Sequence, residues 1–360
     1  MAGAESTYPA EDGLMRPKLV LRVDSKPRIG TGHVMRCLSL AQAWQDAGGD
    51  SLFVLATGLP VLEARLRSEG CEVLGLQVEP GSDTDALQTA TLAHELHAAW
   101  LVVDGQHFGA AYQRAIKEAG LQLLAIDDGA NPEHCYADVL LNQNLHADER
   151  LYTRREPYAR LLLGPAYVLL RREFLRFPRS TRHIPVVATK ILITLGGSDP
   201  QNMTQKVLSA LQQVDPADLE AVVVVGAANL HVRSLEAEIG ASSIPTRVVH
   251  NASNMPELMA WADVAVSSDG TTVWELAFMG VPSLVGAIAP VEELLLRGLE
   301  ARGLFLLAGW FDQLTTERLA ALLRTHLSDR DGRRHASALA QKLVDGHGCE
   351  RTLKVMLPRS

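Results

Sequence analysis

The sequence has few cysteines, no basic surplus and no long apolar run, and each absence argues against a class of protein. Its cysteines are too far apart for a zinc site or a disulfide framework, at Cys37, Cys71, Cys135 and Cys349. The formal net charge of −8 disfavours nucleic acid as a partner. Without a run of about 18 uncharged apolar residues, a membrane span is not expected. We therefore expect a soluble protein of the reducing cytoplasm.

The length of 360 residues and a hydrophobic content of 47% are sufficient for two domains with full cores. Residues 1–17 contain acidic side chains and lack an apolar core, so we expect a disordered tail and not a secretory signal. An N-terminal domain is predicted over 18–180 and a C-terminal domain over 186–340. The Arg- and Pro-rich stretch 171–185 is the linker candidate, and a helix within 341–360 is expected to return to the N-terminal domain.

Short apolar runs alternate with helical periodicity along most of the chain. In the first half the predicted strands are Leu19 to Val23, Ser51 to Leu55, Trp100 to Val103, Leu121 to Ile126 and Val139 to Leu141. In the second half they are Ile191 to Leu195, Ala221 to Val225, Thr246 to Val249, Val264 to Ser267 and Ser283 to Val285. Such alternation predicts an α/β protein with two Rossmann-like, doubly wound domains facing a central cleft. Ligands of open parallel sheets bind at the carboxyl ends of the strands.

A glycine loop, Ile29-Gly30-Thr31-Gly32-His33, joins the first strand to the first helix. Its glycines allow close approach of a ligand, and the N–H groups of the new helix suit an anion. The third glycine of a dinucleotide fingerprint is missing, which disfavours NAD. Near a helix N-terminus His33 is expected to stay neutral and able to act as a base. On position alone, a loop histidine without chemistry is the equal alternative.

Two further strand-to-helix loops have the composition of a phosphate or nucleotide site. The first contains Gly196, Gly197 and Ser198, whose backbone donors and following helix suit a diphosphate, although a plain turn explains a Gly-Gly pair nearly as well. In the second, Thr272 and Glu275 have the spacing of a capping box. The alternative is that the Glu275 carboxylate accepts the ribose hydroxyls of a nucleotide.

Asp127 and Asp128 end a predicted strand, where one of them could orient a substrate. Adjacent side chains on a strand face opposite ways, so at most one points at a given site, and Asp128 is the better candidate. The histidines of His94-Glu95-Leu96-His97 do not have the spacing of a zinc helix, and no metal is implied.

Taken together, these loops resemble a specific family. The matching segments are Leu21 to Ser25, Gly30 to Arg36, Leu141 to Asn144, Leu163 to Arg171, Gly196 to Pro200 and Gly270 to Ala277. They are similar to the UDP-sugar hydrolases of pseudaminic acid biosynthesis and to their spore-coat polysaccharide relatives. The resemblance covers about Lys18 to about Lys354 and implies the GT-B fold of the glycosyltransferase that makes lipid II.

The resemblance also implies an activity and a set of site residues. Members of the family cleave UDP from a 2,4-diacetamido-2,4,6-trideoxy sugar with inversion at C1 and without a metal. By this resemblance His33 is the general base that activates water, Glu275 holds the ribose, the Gly-Gly loop lies near the phosphates, and the backbone around His250 to Met255 lies near the uracil. Substrate-binding residues are expected at Asp24, Gly32, Arg36, Asp128, Asn142, Asn144, Tyr167 and Arg171. Nucleotide-binding residues are expected at Gly196, Gly197, Ser198, His250, Met255, Gly270, Thr271, Thr272 and Glu275.

Two departures from the family pattern keep other functions open. Asp269 stands where the family usually has a glycine, and Ala289 to Glu293 replaces an Asn-Gln pair of the donor site. The leading hypothesis is hydrolysis of a UDP-activated amino sugar. The alternatives are transfer of the sugar to an acceptor and binding of the nucleotide sugar without turnover. In each case the expected partner is a small UDP-sugar, with no cofactor, and the protein is expected to be a monomer or weak dimer.

Overall fold

The computed structural model describes residues 16–25, 31–129, 133–178, 182–214, 218–288, 293–300 and 302–357. Most of the predicted tail, Ile29 and Gly30 of the first loop, and residues 289–292 lie outside these ranges. The described residues form two compact units. The first contains residues 16–25, 33–172 and 347–357, and the second contains residues 31–32 and 173–346.

The described part of the first unit has a parallel sheet of seven strands in the order β3-β2-β1-β4-β5-β6-β7. The strands are β1 (Lys18–Val23), β2 (Asp50–Leu55), β3 (Glu72–Gly75), β4 (Ala98–Asp104), β5 (Leu123–Ile126), β6 (Val139–Asn142) and β7 (Arg160–Leu163). Its helices are α1 (Gly32–Asp46), α2 (Pro60–Ser68), α3 (Asp83–Glu95), α4 (Ala110–Glu118) and α13 (Gly348–Met356), and α5 (Arg172–Arg176) stands at the junction with the second unit.

β1 shows why this sheet forms from nearly continuous apolar runs. Leu19 and Leu21 belong to one buried cluster and Val20 to another, so both faces of the strand are covered. A strand buried on both faces needs apolar side chains at successive positions and not only at alternate ones. The order of strands reverses between β1 and β4, which makes their carboxyl ends the switch point where ligands of such sheets bind.

The second unit repeats this architecture, with strands in the order β10-β9-β8-β11-β12-β13 over its described residues. The strands are β8 (Lys190–Thr194), β9 (Glu220–Val225), β10 (Thr246–His250), β11 (Val264–Ser268), β12 (Ser283–Ala287) and β13 (Leu306–Trp310). The helices are α6 (Met203–Leu211), α7 (Val232–Gly240), α8 (Met255–Trp261), α9 (Thr272–Met279), α10 (Glu293–Glu300), α11 (Thr316–Ser328) and α12 (Arg330–Leu343). Its switch point lies between β8 and β11.

Three strands were not predicted, and each lies at an edge of its sheet. They are β3, β7 and β13, none of which is fully buried along its length. An edge strand covered on fewer sides does not need a continuous apolar run, so its sequence carries a weaker signal.

The C-terminal helix α13 packs on the first unit. Trp100 Nε1 donates to Met356 O at 2.8 Å, and Cys349 and Leu353 belong to the buried cluster around β1. Across the described ranges, no helix is both long enough and apolar enough to span a bilayer.

Candidate active site

His33 and Asp104 form a close pair at the switch point of the first unit. His33 is in the first turn of α1, and Asp104 is the last residue of the neighbouring strand β4. His33 Nδ1 lies 2.7 Å from Oδ1 of the buried Asp104 carboxylate. A carboxylate only accepts, so Nδ1 carries the proton and the lone pair of the imidazole is on Nε2. The arrangement gives His33 the tautomer that a general base requires.

Arg36, one helical turn after His33, connects this pair to a second carboxylate. Its Nε and Nη2 donate to Asp104 at 3.0 and 2.7 Å, and its Nη1 and Nη2 donate to Asp128 at 2.7 and 2.9 Å. Burial is the largest influence and raises the pKa of both aspartates, but the charges of Arg36 and His33 and the hydrogen bonds to the carboxylates together outweigh it, and both pKa values are lowered. Asp104 is therefore anionic when it faces His33.

The expectation that His33 resists protonation is wrong in direction. Burial is the largest influence and lowers the pKa of His33, but the charge of Asp104 and its hydrogen bond to Nδ1 more than reverse this, and the pKa is raised. A carboxylate at 2.7 Å acts more strongly on the imidazole than the partial charge of a helix terminus.

Within the part of the chain that the structure describes, three of these side chains also form a group that could hold a cation. Ligand atoms of His33, Asp104 and Asp128 all lie within 4.8 Å of one another. The guanidinium of Arg36 already donates four hydrogen bonds to the two carboxylates and neutralises charge there. A metal ion would have to displace it, and the expected absence of a metal stays a prediction.

Two asparagines after β6 extend the network. Asn144 Nδ2 donates to Asp128 Oδ1 at 2.8 Å, and the Asn144 amide donates to Asn142 Oδ1 at 2.9 Å. Asn142 Nδ2 donates to the Tyr152 hydroxyl, which in turn donates to Asp127. Asp127 and Asp128 thus bind different groups, as expected for adjacent residues of an extended strand end.

Of the residues predicted to bind substrate, Arg36, Asp128, Asn142 and Asn144 share one network with His33. Asp24 belongs to a different group of side chains, in which it contacts Arg22 and His107. The remaining predicted residues have other positions, with Gly32 at the start of α1, Tyr167 packed against the core around β1, and Arg171 buried.

The Gly-Gly loop of the second unit follows β8 at the switch point. Gly196 has a φ of 82°, a left-handed conformation that favours glycine. The first amides of α6 are not available to a ligand, because Met203 N and Thr204 N donate to the Asp199 carboxylate at 2.7 and 2.8 Å. The prediction that this helix offers its N–H groups to a diphosphate is therefore wrong, whereas the predicted role of Gly196, Gly197 and Ser198 themselves stays a prediction.

Of the two alternatives for Glu275, the capping box with Thr272 is not formed. Helix α9 has Thr271 at its N-cap position, and that residue makes no side-chain cap hydrogen bond. Glu275 is then the fourth helical residue, one position too late for the reciprocal bond of a capping box. Gly270, Thr271, Thr272 and Glu275 lie together where β11 leads into α9, beside the strand that precedes the Gly-Gly loop.

The two residues predicted near the uracil lie on either side of the turn between β10 and α8. His250 is exposed, and its Nε2 is 3.4 Å from Glu236 Oε1. Met255 is buried at the start of α8.

Two polar residues of the first unit were missed as site candidates, Asp104 and His107. Both follow the apolar run of β4, in the stretch Asp104-Gly105-Gln106-His107. The sequence did contain a signal for Asp104. It is an acidic residue at the end of a buried parallel strand, and that strand neighbours the one leading to His33.

The chain is similar to one glycosyltransferase domain family and to two proteins named for sugar or polysaccharide chemistry. Residues 191–286 match the glycosyltransferase family 28 C-terminal domain. The chain is 30% identical over 198 residues to the UDP-2,4-diacetamido-2,4,6-trideoxy-beta-L-altropyranose hydrolase of Campylobacter jejuni, covering 54% of this chain and 65% of that protein. It is 27% identical over 222 residues to the spore coat polysaccharide biosynthesis protein SpsG of Bacillus subtilis, covering 61% of this chain and 65% of that protein. The chain thus spans less than two thirds of the length of either relative.

Solved structures with the same architecture include a MurG, a rhamnosyltransferase and a putative UDP-N-acetylglucosamine 2-epimerase. MurG of Acinetobacter baumannii superposes with a TM-score of 0.62 at 16% identity, over 94% of this chain and 99% of that one. The spinosyn rhamnosyltransferase SpnG, complexed with thymidine diphosphate, superposes with a TM-score of 0.64 at 17% identity. The superposition covers 93% of this chain and 99% of that one. The chain has the GT-B fold. The predicted resemblance is confirmed, and the chain is a relative of the UDP-sugar hydrolase and of the spore coat protein.

Proposed function

We propose that this protein is an enzyme that hydrolyses a nucleotide sugar, releasing UDP from a UDP-activated acetamido-deoxy sugar with inversion at C1. The observation that carries the proposal is the pair of His33 Nδ1 and the buried Asp104 carboxylate, 2.7 Å apart. Such a pair holds an imidazole in the tautomer that accepts a proton at Nε2. The similarity to the Campylobacter hydrolase supports a sugar nucleotide as the substrate.

The proposed reaction needs one base and one leaving group. His33 Nε2 takes a proton from water as the water oxygen forms a bond to C1 of the sugar. The bond between C1 and the diphosphate oxygen breaks, and UDP leaves with the electron pair. Attack on the face opposite the leaving group inverts C1. Asp104 positions the base and stabilises its protonated form, and Arg36 holds the Asp104 carboxylate in place.

For the nucleotide we propose the loops at the switch point of the second unit. Glycines at Gly196, Gly197 and Gly270 permit close approach of a diphosphate, and Glu275 is proposed to accept the ribose hydroxyls. The match of residues 191–286 to a glycosyltransferase C-terminal domain supports this division of roles.

The test is nucleotide release from a panel of UDP-, dTDP-, GDP- and CMP-sugars, run in water enriched in oxygen-18. Hydrolysis as proposed puts the heavy oxygen on C1 of the free sugar, leaves the released UDP unlabelled, and gives the inverted anomer as the first product seen by NMR. Label in the nucleotide would show cleavage at phosphorus and contradict the proposal.

A second candidate, transfer of the sugar to an acceptor, is favoured by the family 28 match. The same panel separates the two, because a transferase releases nucleotide only when an acceptor alcohol or amine is added, and the acceptor then carries the sugar. Binding of a donor without release under either condition would indicate a nucleotide-sugar binding protein.

Hydrolysis should increase with pH through the neutral range. The base form of His33 lacks the proton and dominates only above its pKa, which Asp104 raises above the ordinary 6.5 despite burial. We therefore expect the rising limb of kcat to have its midpoint above 6.5. Initial rates from pH 5.5 to 9, beside UDP affinity at each pH, check this. A rate that falls across the same range would assign His33 the role of an acid.

Glu275→Gln should weaken UDP binding by about 1 to 3 kcal/mol, because charge-assisted hydrogen bonds to the ribose are lost. The Tm of the unliganded protein should change little, since Gln keeps the size of the side chain and can still accept hydrogen bonds. Calorimetric titration with UDP measures the effect. The matched control is Glu257→Gln, which alters the first-turn acidic residue of α8. If Glu275→Gln binds UDP as tightly as the Glu257→Gln control, the ribose assignment is refuted.

A further inference from the structure

The first unit contains a second histidine–aspartate pair at its switch point. His107 Nε2 lies 3.2 Å from Asp24 Oδ2. Asp24 directly follows β1 and His107 follows β4, whereas His33 follows β1 and Asp104 ends β4. Each of two neighbouring strands thus supplies the carboxylate for a histidine that comes after the other strand. The pairing of Val23 with Asp104 in the sheet places both pairs at the same edge.

Asp24 is held on all sides by groups of the first unit. Its Oδ1 accepts the amides of Ala56 and Thr57, each at 2.8 Å, and its Oδ2 is 2.8 Å from Arg22 Nη1. Arg22 is itself fully buried and donates from Nε and Nη2 to both oxygens of the buried Asp85. Burial raises the pKa of Asp24, but the bond from His107 and the Arg22 charge lower it to about 2. The carboxylate is thus a fixed anion.

The His107 ring is also fixed in orientation. It lies over Gly105, where φ is 150° and an added Cβ would be 2.7 Å from His107 Cε1, so a larger residue there would displace the ring. The buried Phe108 ring is 4.1 Å from it, centroid to centroid. The His107 side chain nevertheless remains 28% exposed, close to the 26% of His33.

The chemistry of the pair defines what the exposed part of His107 can bind. Asp24 only accepts, so Nε2 of His107 carries the proton and Nδ1 offers a lone pair. A lone pair held rigidly at the edge of the sheet suits a donor such as a sugar hydroxyl or the N–H of an acetamido group. The contact with Asp24 uses one ring nitrogen of a side chain that stays 28% exposed, which leaves Nδ1 for a ligand.

We propose that His107 is a sugar-binding residue, whose Nδ1 accepts a hydrogen bond from a hydroxyl or acetamido N–H of the sugar. The assignment rests on the proposed function, which supplies a nucleotide sugar as the ligand. It concerns binding of that ligand and does not require turnover.

The experiment compares the affinities of UDP, UDP-glucose and UDP-N-acetylglucosamine by calorimetric titration. The ratio of the Kd for UDP to that for a UDP-sugar isolates the contribution of the sugar. In His107→Phe, which keeps a ring over Gly105, this ratio should fall about tenfold while the Kd for UDP stays within about twofold. His107→Gln, which offers Asp24 a donor and keeps an acceptor, should recover part of the ratio.

His134→Phe is the matched control. His134 lies on the segment between β5 and β6, pairs with Glu156 at 3.1 Å, is 32% exposed and packs against the Tyr136 ring, so it shares the carboxylate partner, the exposure and the aromatic contact of His107. Its ratio should equal that of the wild type. The proposal is overturned if His107→Phe lowers only the Tm, if both variants change the ratio equally, or if the sugars add nothing to wild-type affinity. If the wild-type protein releases no nucleotide but His107→Phe still lowers the ratio of the two Kd values, this inference is upheld and hydrolysis is refuted.

Discussion

Replacing His33 by Ala is expected to lower kcat for nucleotide release by about 10² or more, because general-base catalysis contributes about that factor. In the wild-type protein the proton leaves water for Nε2, and the positive charge that forms on the ring faces the Asp104 carboxylate at 2.7 Å. Alanine removes both the acceptor and this stabilised charge. Steady-state kinetics with the best donor of the panel measure the loss.

UDP binding separates a catalytic role for His33 from a general defect. The proposed nucleotide loops belong to the second unit, so the Kd for UDP should remain within about twofold in His33→Ala. Added imidazole should restore part of the rate, since it can take the place of the missing side chain. His134→Ala, which removes another partly exposed histidine paired with a carboxylate, should retain wild-type kcat. A kcat within a few-fold of wild type in His33→Ala would remove this residue from the mechanism.

The fold could be predicted from the sequence wherever burial is complete. β1 and β8 are covered on both faces or nearly so, and their unbroken apolar runs give both position and type. The edge strand β3 has no fully buried residue, and its sequence Glu72-Val73-Leu74-Gly75 resembles many loops. Pairing with β2 makes it a strand, and that interaction is long-range information that a local pattern does not contain.

The site was less accessible to prediction than the fold. The loop glycines and the position of His33 after the first strand are local features, and the sequence contains them. The rise in the pKa of His33 comes mainly from Asp104, which is 71 residues away in the chain and adjacent only because β1 and β4 pair. Likewise, the helix after the Gly-Gly loop was expected to suit a diphosphate, but Asp199, with a left-handed backbone at φ 38°, accepts the first amides of α6 with its carboxylate. The errors about the pKa of His33 and about the amides of α6 both arise from interactions that the local sequence pattern does not reveal.

Replacing Asp104 by Asn should lower kcat by about 10² to 10³ near neutral pH, although the two side chains have nearly the same shape. The amide nitrogen of Asn can donate to His33 Nδ1, which moves the imidazole proton to Nε2 and blocks the atom that must accept a proton from water. Arg36 also loses one of its two anionic partners.

The pH profile distinguishes this positioning role of Asp104 from a loss of packing. The Asp104 charge and hydrogen bond raise the pKa of His33 against the effect of burial, so without them burial dominates and the pKa falls. The rising limb of kcat should therefore move to lower pH in Asp104→Asn, while the plateau drops. Asp138→Asn is the matched control, because Asp138 accepts from Lys117 Nζ and the Leu123 amide at the opposite ends of the strands. Asp138→Asn should lower the Tm without shifting the rising limb of kcat along the pH axis. A reduced plateau with an unmoved limb in Asp104→Asn would mean that Asp104 supports the structure around α1 but does not tune the base.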